Sequence, residues 1–541
     1  MEMGNSNGEV AQSQAQPLAQ VQPQPLAQPQ AQAQLQLQPQ PQPQPQVRPQ
    51  RQPPAQPQRQ SHVLVFPFPV QGHMNPMVQF AKRLVSKGLK VTVVATISAM
   101  PYFQAAPERL HSFGFAVELI SDGKEYVNKP ESIDESTERF TRVTTQTLAD
   151  LIANIKNRCK KKKKNGTSTT PGSDRDHDDA RSTQYPELKF LVYHSGMPWA
   201  LDIARQHGID GAPFFTTSSS VIAICEHYLQ GVLKIPSQND RSTTTLSLPS
   251  MPPLAFTDLP SFLRDFDSYP AYLELTLNQY TNIRQPKWIF ICTFDNLDEE
   301  VVKWMRSQEW PVTTIGPTIP SMFLDKRLED DKEYSLDLFK PNVETCTKWL
   351  DSRETGSVVY ISFGSMNKCN LKKDQIEELA WGLKDMNYYF LWSVRESDME
   401  KIPYDFLEET SETGLVVSWC PQLQVLAHKA VRCFLTHCGW NSVLEALSLG
   451  VPMVTMPQWA DQTTNAKFVA DVWKVGVRVK MNEEGIATKE EIALCIEQIM
   501  DEKKGMEIRK ASLRWKELAK EAMGEGGSSD KNIDEFVAKI M

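Results

Sequence analysis

Short apolar runs alternate with amphipathic stretches through most of the chain. In the first half, four such runs predict buried strands, and a helical periodicity over 75–88 (NPMVQFAKRLVSKG) predicts an amphipathic helix that ends in glycine. The predicted strands are HVLVFPFP (62–69), LKVTVVAT (89–96), LKFLVY (188–193) and GAPFFTT (211–217). Continuous apolar strands separated by helices are typical of a parallel sheet that is covered on both faces.

A second alternating series follows a charged, irregular stretch that extends from Pro317 to about Asn342. Besides a helix around 372–385, it contains the predicted strands SVVYISFGS (357–365), YYFLWSV (388–394), GLVVSW (414–419), AVRCFL (430–435), VPMVTM (451–456) and KVGVRVK (474–480). The fold class is therefore α/β, with two doubly wound parallel-sheet domains. Such sheets bind ligands at the carboxyl ends of their strands, so the cleft between two facing domains is the expected site.

These patterns divide the chain into five segments. We predict a disordered Gln/Pro-rich extension (1–60), a first domain (61–317), a linker (318–342), a second domain (343–520) and a last helix (521–541) that packs back toward the first domain. For the extension, an inert role is preferred to that of an interaction arm. Five lysines followed by an acidic, Ser/Thr-rich run predict a solvated loop over 159–184, within the first domain.

Composition narrows the class of partners. The chain has 541 residues, 40% of them hydrophobic, and a net charge of −8, which argues against nucleic acid as a partner. Nine scattered cysteines without a Cys-x-x-Cys pair predict reduced thiols in a cytoplasmic protein. No apolar run approaches the length of a membrane span. As to oligomeric state, we expect a monomer.

Polar residues cluster at the start of THCGWNSVLEALSLGVPMVTMPQWADQ (436–462). Gly439 lets the backbone turn and approach a ligand, and the helix that follows presents free N–H groups and a positive dipole end, which suit a phosphate. His437 and Ser442 can add donors. Glu445, three residues after Ser442 on the same helix side, can accept hydrogen bonds from the two vicinal hydroxyls of a ribose.

Further aromatic and polar groups follow other predicted strands of the second domain. Trp419 offers a flat face on which a base can stack, and Ser365 belongs to a small donor loop with Gly364. Asp461 and Gln462 offer polar contacts to a sugar. Base, ribose, diphosphate and sugar together indicate a nucleotide sugar.

The segment from Trp419 (WCPQ) to Gln462 resembles the signature box of plant secondary-product UDP-glycosyltransferases, which are glycosyltransferase family 1. HCGWNSVLEAL is its most specific part, and FPVQGHMNP, PFFTT, IGP and SFGS extend the likeness over 61–541, apart from the 159–184 loop. The resemblance implies the two-domain GT-B fold. The wording of the box and SMFLDKRLEDDK are closest to the subgroup that contains acyl- and terpenoid-glucosylating enzymes.

The resemblance also implies a role for each box residue. The expected UDP contacts are Trp419 and Cys420 at uracil, Gln422 and Glu445 at the ribose, and Ser365, His437, Asn441 and Ser442 at the diphosphate. The expected sugar contacts are Thr216, Trp440, Asp461 and Gln462. In the family, glutamine at the last box position commonly accompanies glucose, so Gln462 suggests UDP-glucose.

His73, in PVQGHMNP, resembles the family's catalytic base. It follows a predicted strand at the expected cleft, just before a predicted helix. A base there can remove a proton from a hydroxyl acceptor while that oxygen attacks C1 of the sugar, which would invert the donor's α-linkage into a β-glycoside. No metal or other cofactor is expected, because helix N-termini and polar side chains can stabilise the departing diphosphate. His428, Cys433, His437 and Cys438 do not have the spacing of a zinc site.

One position departs from the family. The family's aspartate, which orients the base in a YDS context, is replaced by His194 in LVYHSGMPW. A neutral histidine stabilises an imidazolium poorly, so the usual pair with His73 is in doubt. Either the protein is a catalytically impaired nucleotide-sugar-binding protein, or its acceptor is already ionised, as a carboxylic acid is. We predict an inverting UDP-glucosyltransferase acting on a small lipophilic carboxylic acid, terpenoid or phenolic, with that impaired protein as the alternative.

Overall fold

Two parallel sheets form the framework of the molecule. The computed structural model describes residues 61–104, 114–127, 131–165, 186–241, 243–268, 270–334, 336, 342–365 and 371–541. The predicted extension over 1–60 therefore lies outside the described residues, as does most of the predicted loop over 159–184. Among the described helices, none combines the length and the apolar composition that a membrane crossing requires.

The first sheet is built from apolar strands of the first half of the chain. Its strands have the order β3-β2-β1-β4-β5-β8-β9, and each pair of adjacent strands is parallel. Its strands are β1 (Ser61–Phe66), β2 (Lys90–Thr96), β3 (Ala116–Ile120), β4 (Glu187–His194), β5 (Asp210–Phe215), β8 (Ile289–Ile291) and β9 (Val312–Thr314). A separate antiparallel pair consists of β6 (Thr245–Leu246) and β7 (Leu254–Ala255).

The second sheet has the order β12-β11-β10-β13-β14-β15 and is likewise parallel. Its strands are β10 (Val358–Ser362), β11 (Tyr389–Ser393), β12 (Gly414–Val417), β13 (Val431–Thr436), β14 (Met453–Thr455) and β15 (Gly476–Arg478). In each sheet the order of strands reverses at one point, between β1 and β4 and between β10 and β13. Ligands of doubly wound sheets bind at these switch points.

Helices cover both sheets. The first half contains α1 (Gln71–Ser86), α2 (Met100–Gln104), α3 (Ile133–Asn165), α4 (Ala200–Gln206), α5 (Ser219–Leu229), α6 (Ser261–Arg264), α7 (Pro270–Asn278) and α8 (Glu299–Ser307). The second half contains α9 (Val343–Asp351), α10 (Lys373–Lys384), α11 (Glu396–Met399), α12 (Phe406–Glu409), α13 (Gln422–Ala427), α14 (Trp440–Leu449), α15 (Gln462–Lys467), α16 (Lys489–Met500), α17 (Met506–Met523) and α18 (Ser528–Ile540).

Two sequence-based predictions about helices are wrong. The helix after the first strand begins at Gln71 rather than at 75, so His73 lies in the first turn of α1 and not before it. The loop predicted from residue 159 is wrong in its first part, because α3 continues to Asn165. Lysine is a good helix former, so the run of five lysines extends the helix.

The last helix packs on the first sheet. Phe536 of α18 is fully buried, and its ring meets those of Phe190 and Phe290 edge-on at centroid distances of 5.1 and 5.0 Å. One hydrophobic cluster also contains side chains from both sheets, including Phe290 and Phe434. Contacts of this kind join the two halves into one compact unit over the described residues from 61 onward.

Basic residues of α1 anchor the segment that connects the halves. Lys82 forms a 2.6 Å ion pair with Asp331 in which both side chains are 1% exposed. Arg83 binds both carboxylate oxygens of Asp325, at 2.6 and 2.8 Å. Since bidentate and buried ion pairs fix geometry more strongly than exposed pairs do, the predicted linker is held against α1 over these residues.

Candidate active site

A cleft of about 570 Å³ lies between the halves, at the carboxyl ends of both sheets. It is lined by every residue that the sequence assigned to the site: His73, His194, Thr216, Ser365, Trp419, Cys420, Gln422, His437, Trp440, Asn441, Ser442, Glu445, Asp461 and Gln462. The switch points explain this convergence. His73 follows β1 and His194 ends β4, whereas Ser365 follows β10 and His437 follows β13.

A threonine joins the two histidines that the first half contributes to the cleft. Thr216 Oγ1 lies 2.6 Å from His73 Nδ1 and 3.1 Å from His194 Nε2. The imidazole rings are edge-on, with centroids 4.5 Å apart, and Phe68 packs against both. The backbone N–H of Gly196 donates to His194 Nδ1 at 3.1 Å. The sequence-based prediction of a sugar contact for Thr216 did not anticipate this bridge.

Both of these histidines are neutral at physiological pH. Burial lowers the pKa of His73 to about 4. Burial, and then the neighbouring His73, lower the pKa of His194 well below its ordinary value. The position of His73 in the first turn of α1 acts in the same direction, because the N-terminal end of a helix disfavours a cation.

His437 is held between two glycines of the second half. A Cβ on Gly364 would lie 2.7 Å from His437 Nε2, and a Cβ on Gly439 would lie 2.5 Å from the same atom. Any other residue at either position would collide with the imidazole. Burial lowers the pKa of His437 to about 4, so the ring is a neutral hydrogen-bonding group beside the N-terminus of α14.

Glu445 lies at the centre of a buried hydrogen-bond network. Gln422 Nε2 donates to Glu445 Oε2 at 2.7 Å and to Ser442 Oγ at 3.0 Å, and Tyr360 donates to Gln422 Oε1 at 3.0 Å. The hydroxyl of Tyr334 also hydrogen-bonds to Glu445. Burial raises the pKa of Glu445 to about 7, although the bonds from Gln422 and Tyr334 oppose that rise. No sequence pattern pointed to either tyrosine.

Asn441 connects the nucleotide side of the cleft to α1. Its Nδ2 donates to the carbonyl of Gly72 at 2.6 Å. Pro76, four residues after Gly72, has no N–H with which to bond this carbonyl. The proline therefore leaves a helix carbonyl that the other half of the molecule can use. Trp440 also reaches across, because its Nε1 donates to the carbonyl of Cys292 at 2.8 Å.

Two of the four expected sugar-binding residues, Asp461 and Gln462, follow β14. Asp461 Oδ2 accepts hydrogen bonds from Asn465 Nδ2 at 2.9 Å and from Thr217 Oγ1 at 3.3 Å, and burial raises the pKa of this carboxyl. Gln462 Oε1 accepts from the backbone N–H groups of Gln458 and Trp459, each at 2.9 Å. These bonds fix the side chains at the cleft wall.

The first half supplies a largely apolar wall to the cleft. Its members come from distant parts of the chain and include Phe68, Val221, Phe262, Tyr272, Leu275 and Tyr280, with Trp459 from the second half. Tyr272 and Trp459 are in ring contact, at a centroid distance of 4.5 Å. Ser195 donates to Gln279 Oε1 at 2.6 Å beside this wall. Such a surface suits a small lipophilic molecule with few polar groups.

Comparisons with known proteins agree with this geometry. The family model described as UDP-glucoronosyl and UDP-glucosyl transferase matches residues 316–514, and that of the glycosyltransferase N-terminal domain matches 60–117. Mogroside I-E synthase of Siraitia grosvenorii is 46% identical over 480 residues, which cover 89% of this chain and 98% of the relative. UDP-glycosyltransferase 74E2 of Arabidopsis thaliana is 47% identical, with 88% and 98% covered.

A solved structure is similar as well. Os79 from O. sativa in complex with UDP superposes with a TM-score of 0.74 at 34% identity, covering 88% of this chain and all of that one. The fold and the site thus define a glycosyltransferase of the GT-B class. The chain belongs to the plant UDP-glycosyltransferase family, glycosyltransferase family 1. The comparisons do not support the alternative of a catalytically impaired binding protein.

Proposed function

We propose that the protein transfers glucose from UDP-glucose to a small lipophilic carboxylic acid, terpenoid or phenolic, with inversion at C1. One observation carries the proposal: Trp419 and Glu445 line the same cleft as His73, from the opposite half of the molecule. A nucleotide sugar held on the second half would thus point its sugar toward a base and an apolar wall. Os79, one of the similar proteins, has been crystallised with a trichothecene.

The donor would occupy the second half. Trp419 stacks the uracil, Glu445 and Gln422 accept and donate at the ribose, and the diphosphate faces His437 and the N-terminus of α14. Gln462 and Asp461, fixed by the bonds described above, contact the sugar. Gln462 at the end of the box is the reason for preferring glucose.

The acceptor oxygen would attack C1 from the face opposite UDP. The C1–O bond to UDP breaks with its electron pair moving to the diphosphate, so an α-linked donor gives a β-product. A hydroxyl acceptor would pass its proton to His73, which requires a lone pair on the His73 nitrogen that faces the cleft. Dipoles and neutral donors would stabilise the leaving diphosphate, and we propose that no metal takes part.

Reduced thiols support a cytoplasmic location, which we propose together with a monomeric state. The cysteines of the described residues are all free: Cys159, Cys225, Cys292, Cys346, Cys420, Cys433, Cys438 and Cys495. Such thiols persist in a reducing compartment.

Product analysis tests the proposal. The full chain is incubated with UDP-glucose or UDP-galactose and a panel of lipophilic acids, terpenoids and phenols, with and without EDTA. We expect hexosylated products by mass spectrometry from UDP-glucose, a β-anomeric coupling by NMR, and no loss of rate with EDTA. Binding of UDP without transfer to any acceptor would contradict the proposal, as would products with an α-linkage.

A further inference from the structure

The hydrogen bonds around His194 determine which of its nitrogens carries the proton. A backbone N–H can only donate, so the bond from Gly196 requires a lone pair on His194 Nδ1. The neutral ring therefore carries its proton on Nε2. That Nε2–H points at Thr216 Oγ1, 3.1 Å away, and donates to it.

Thr216, whose hydroxyl accepts from His194, in turn donates to His73. Its hydroxyl has one proton, and among the described residues it hydrogen-bonds only to the two histidine rings. Since His194 already donates to the oxygen, the hydroxyl proton is satisfied by His73 Nδ1 at 2.6 Å. In the opposite arrangement His73 Nδ1–H would donate as well, and the buried hydroxyl proton of Thr216 would lose its partner.

The remaining nitrogen of His73 faces the cleft. With a lone pair on Nδ1, the neutral imidazole carries its proton on Nε2, and no hydrogen bond joins that atom to the described part of the chain. His73 therefore presents a donor, not a lone pair, to whatever binds beside it. A hydroxyl acceptor needs a lone pair there to remove its proton, whereas a carboxylate needs only a donor.

We propose that the chain of hydrogen bonds from Gly196 through His194 and Thr216 makes His73 a donor to the acceptor and thereby selects carboxylates, giving glucose esters. This inference rests on the proposed function. One carboxylate oxygen accepts from His73 Nε2–H while the other attacks C1. The bond from C1 to UDP breaks, its electron pair leaves with UDP, and no proton is transferred. Thr216 and His194 are positioning residues in this scheme.

The first measurement is the tautomer of His73 in the resting protein. Protein labelled with ¹⁵N at its histidines is studied by NMR at pH 7.5 or thereabouts, with His73→Gln identifying the signal. We expect the Nε2–H tautomer of His73 in the natural protein and the Nδ1–H tautomer in His194→Asp. In the variant the carboxylate accepts the hydroxyl proton of Thr216, so the Thr216 oxygen accepts a hydrogen bond from His73 Nδ1–H, and the direction of both hydrogen bonds is reversed. The Nδ1–H form in the natural protein would overturn the proposal.

The second measurement is kcat/KM for a matched pair of acceptors, benzoate and benzyl alcohol. We expect the natural protein to prefer benzoate and His194→Asp to shift the acid-to-alcohol ratio toward the alcohol by roughly tenfold or more. Thr216→Val should lower kcat for benzoate by roughly tenfold, and Thr216→Ser, which keeps the hydroxyl, should restore it. An unchanged ratio in His194→Asp, or equal activity in Thr216→Val and Thr216→Ser, would contradict the inference.

A control removes a similar hydrogen bond elsewhere. His62 Nε2 and Thr92 Oγ1 form a buried bond of 2.9 Å outside the cleft. Thr92→Val should therefore leave the acid-to-alcohol ratio unchanged. If neither acceptor is glucosylated, the matched acid and alcohol are taken from the panel that tests the proposed function. If no acceptor of that panel is glucosylated, the proposed function fails, and the tautomer of His73 still decides the inference. If His194→Asp does not fold, the natural protein and the two Thr216 variants suffice.

Discussion

Glu445 is a carboxylate with no cation among its hydrogen-bond partners in the described structure. Its partners are the amide of Gln422 and the hydroxyl of Tyr334, both neutral. A pair of ribose hydroxyls can add to these donors, and hydrogen bonds to a charged group are stronger than those between neutral groups.

The first prediction follows from that role. Glu445→Ala should weaken UDP binding roughly 10- to 100-fold, because the ribose hydroxyls lose a charged acceptor in a buried site. Isothermal calorimetry measures the change. Glu344→Ala serves as a matched control, since its carboxylate is exposed on α9 and, within the described structure, pairs only with Lys348 on the same helix. Equal affinity in the natural protein and Glu445→Ala would show that Glu445 is not a nucleotide contact.

The second prediction concerns pH. The carboxyl of Glu445, with its pKa at about 7, loses its proton between pH 6 and 8, while the pKa of His437 is about 4 and that of Tyr334 lies well above 10. UDP-glucose affinity should rise by up to roughly tenfold over this interval, since the ionised form accepts more hydrogen bonds. Calorimetry at several pH values measures it, and Glu445→Gln should show no such rise. A flat profile in the natural protein would contradict the prediction.

The raised pKa of Glu445 also affects the stability of the protein without ligand, which should fall with rising pH while the affinity for UDP-glucose rises. The folded state holds a proton on Glu445 that the unfolded state releases above its ordinary pKa of 4.5. The contribution of Glu445 to the free energy of unfolding is therefore full below that value and is lost as the pH rises toward 7.

Site residues differ in how far the sequence reveals them. Trp419, Ser442 and Glu445 lie in one ordered box, and the strand ends that carry them converge by the rules of a parallel sheet. Tyr360 lies inside an apolar strand and resembles any core aromatic, although its hydroxyl orients Gln422. Tyr334 lies in an irregular stretch, and only the path of that stretch brings it to Glu445.

At the scale of elements, α1 combines two functions. Its first turn supplies His73, and its later turns hold the connecting segment through Lys82 and Arg83. The periodicity of the sequence predicted this helix but not its start. Pro76 suggested a helix that begins at 75, because proline is common at the first helical position, whereas α1 begins at Gln71. The sequence pattern did not predict α3, and its last turns were assigned to a loop because the run of charges suggested one where propensity favoured a helix.

The third prediction tests the anchoring of the connecting segment. Asp331→Ala should lower the free energy of unfolding by about 3–5 kcal/mol, because it leaves the buried ammonium of Lys82 without its carboxylate. Urea unfolding followed by circular dichroism measures the loss. Asp330→Ala, at the exposed neighbouring position, should change stability by less than about 0.5 kcal/mol. Equal effects of the two substitutions would contradict the proposed importance of the buried pair.

At the scale of the whole molecule, the described residues from 61 onward carry both sheets, the cleft and every proposed site residue. The fourth prediction is that deleting residues 1–60 leaves the melting temperature and the turnover of UDP-glucose unchanged. The deleted segment is rich in Gln and Pro and has no apolar periodicity with which to dock on a core. Differential scanning calorimetry and product formation check this. A large loss of either would assign the segment a structural or catalytic role.

The chain crosses between the halves twice, and the two crossings are joined by Arg327. Its guanidinium contacts Asp325 of the connecting segment and Asp530 of α18, each at 2.7 Å. Lys87, the residue directly after α1, binds the same Asp530, also at 2.7 Å. Chimeras that exchange halves between relatives therefore have interdependent breakpoints. In one such chimera, this first half is kept with its connecting segment, and the second sheet and last helix come from a relative. That relative must supply a carboxylate at position 530, because Lys87 and Arg327 of the retained part otherwise lose the partner that they share.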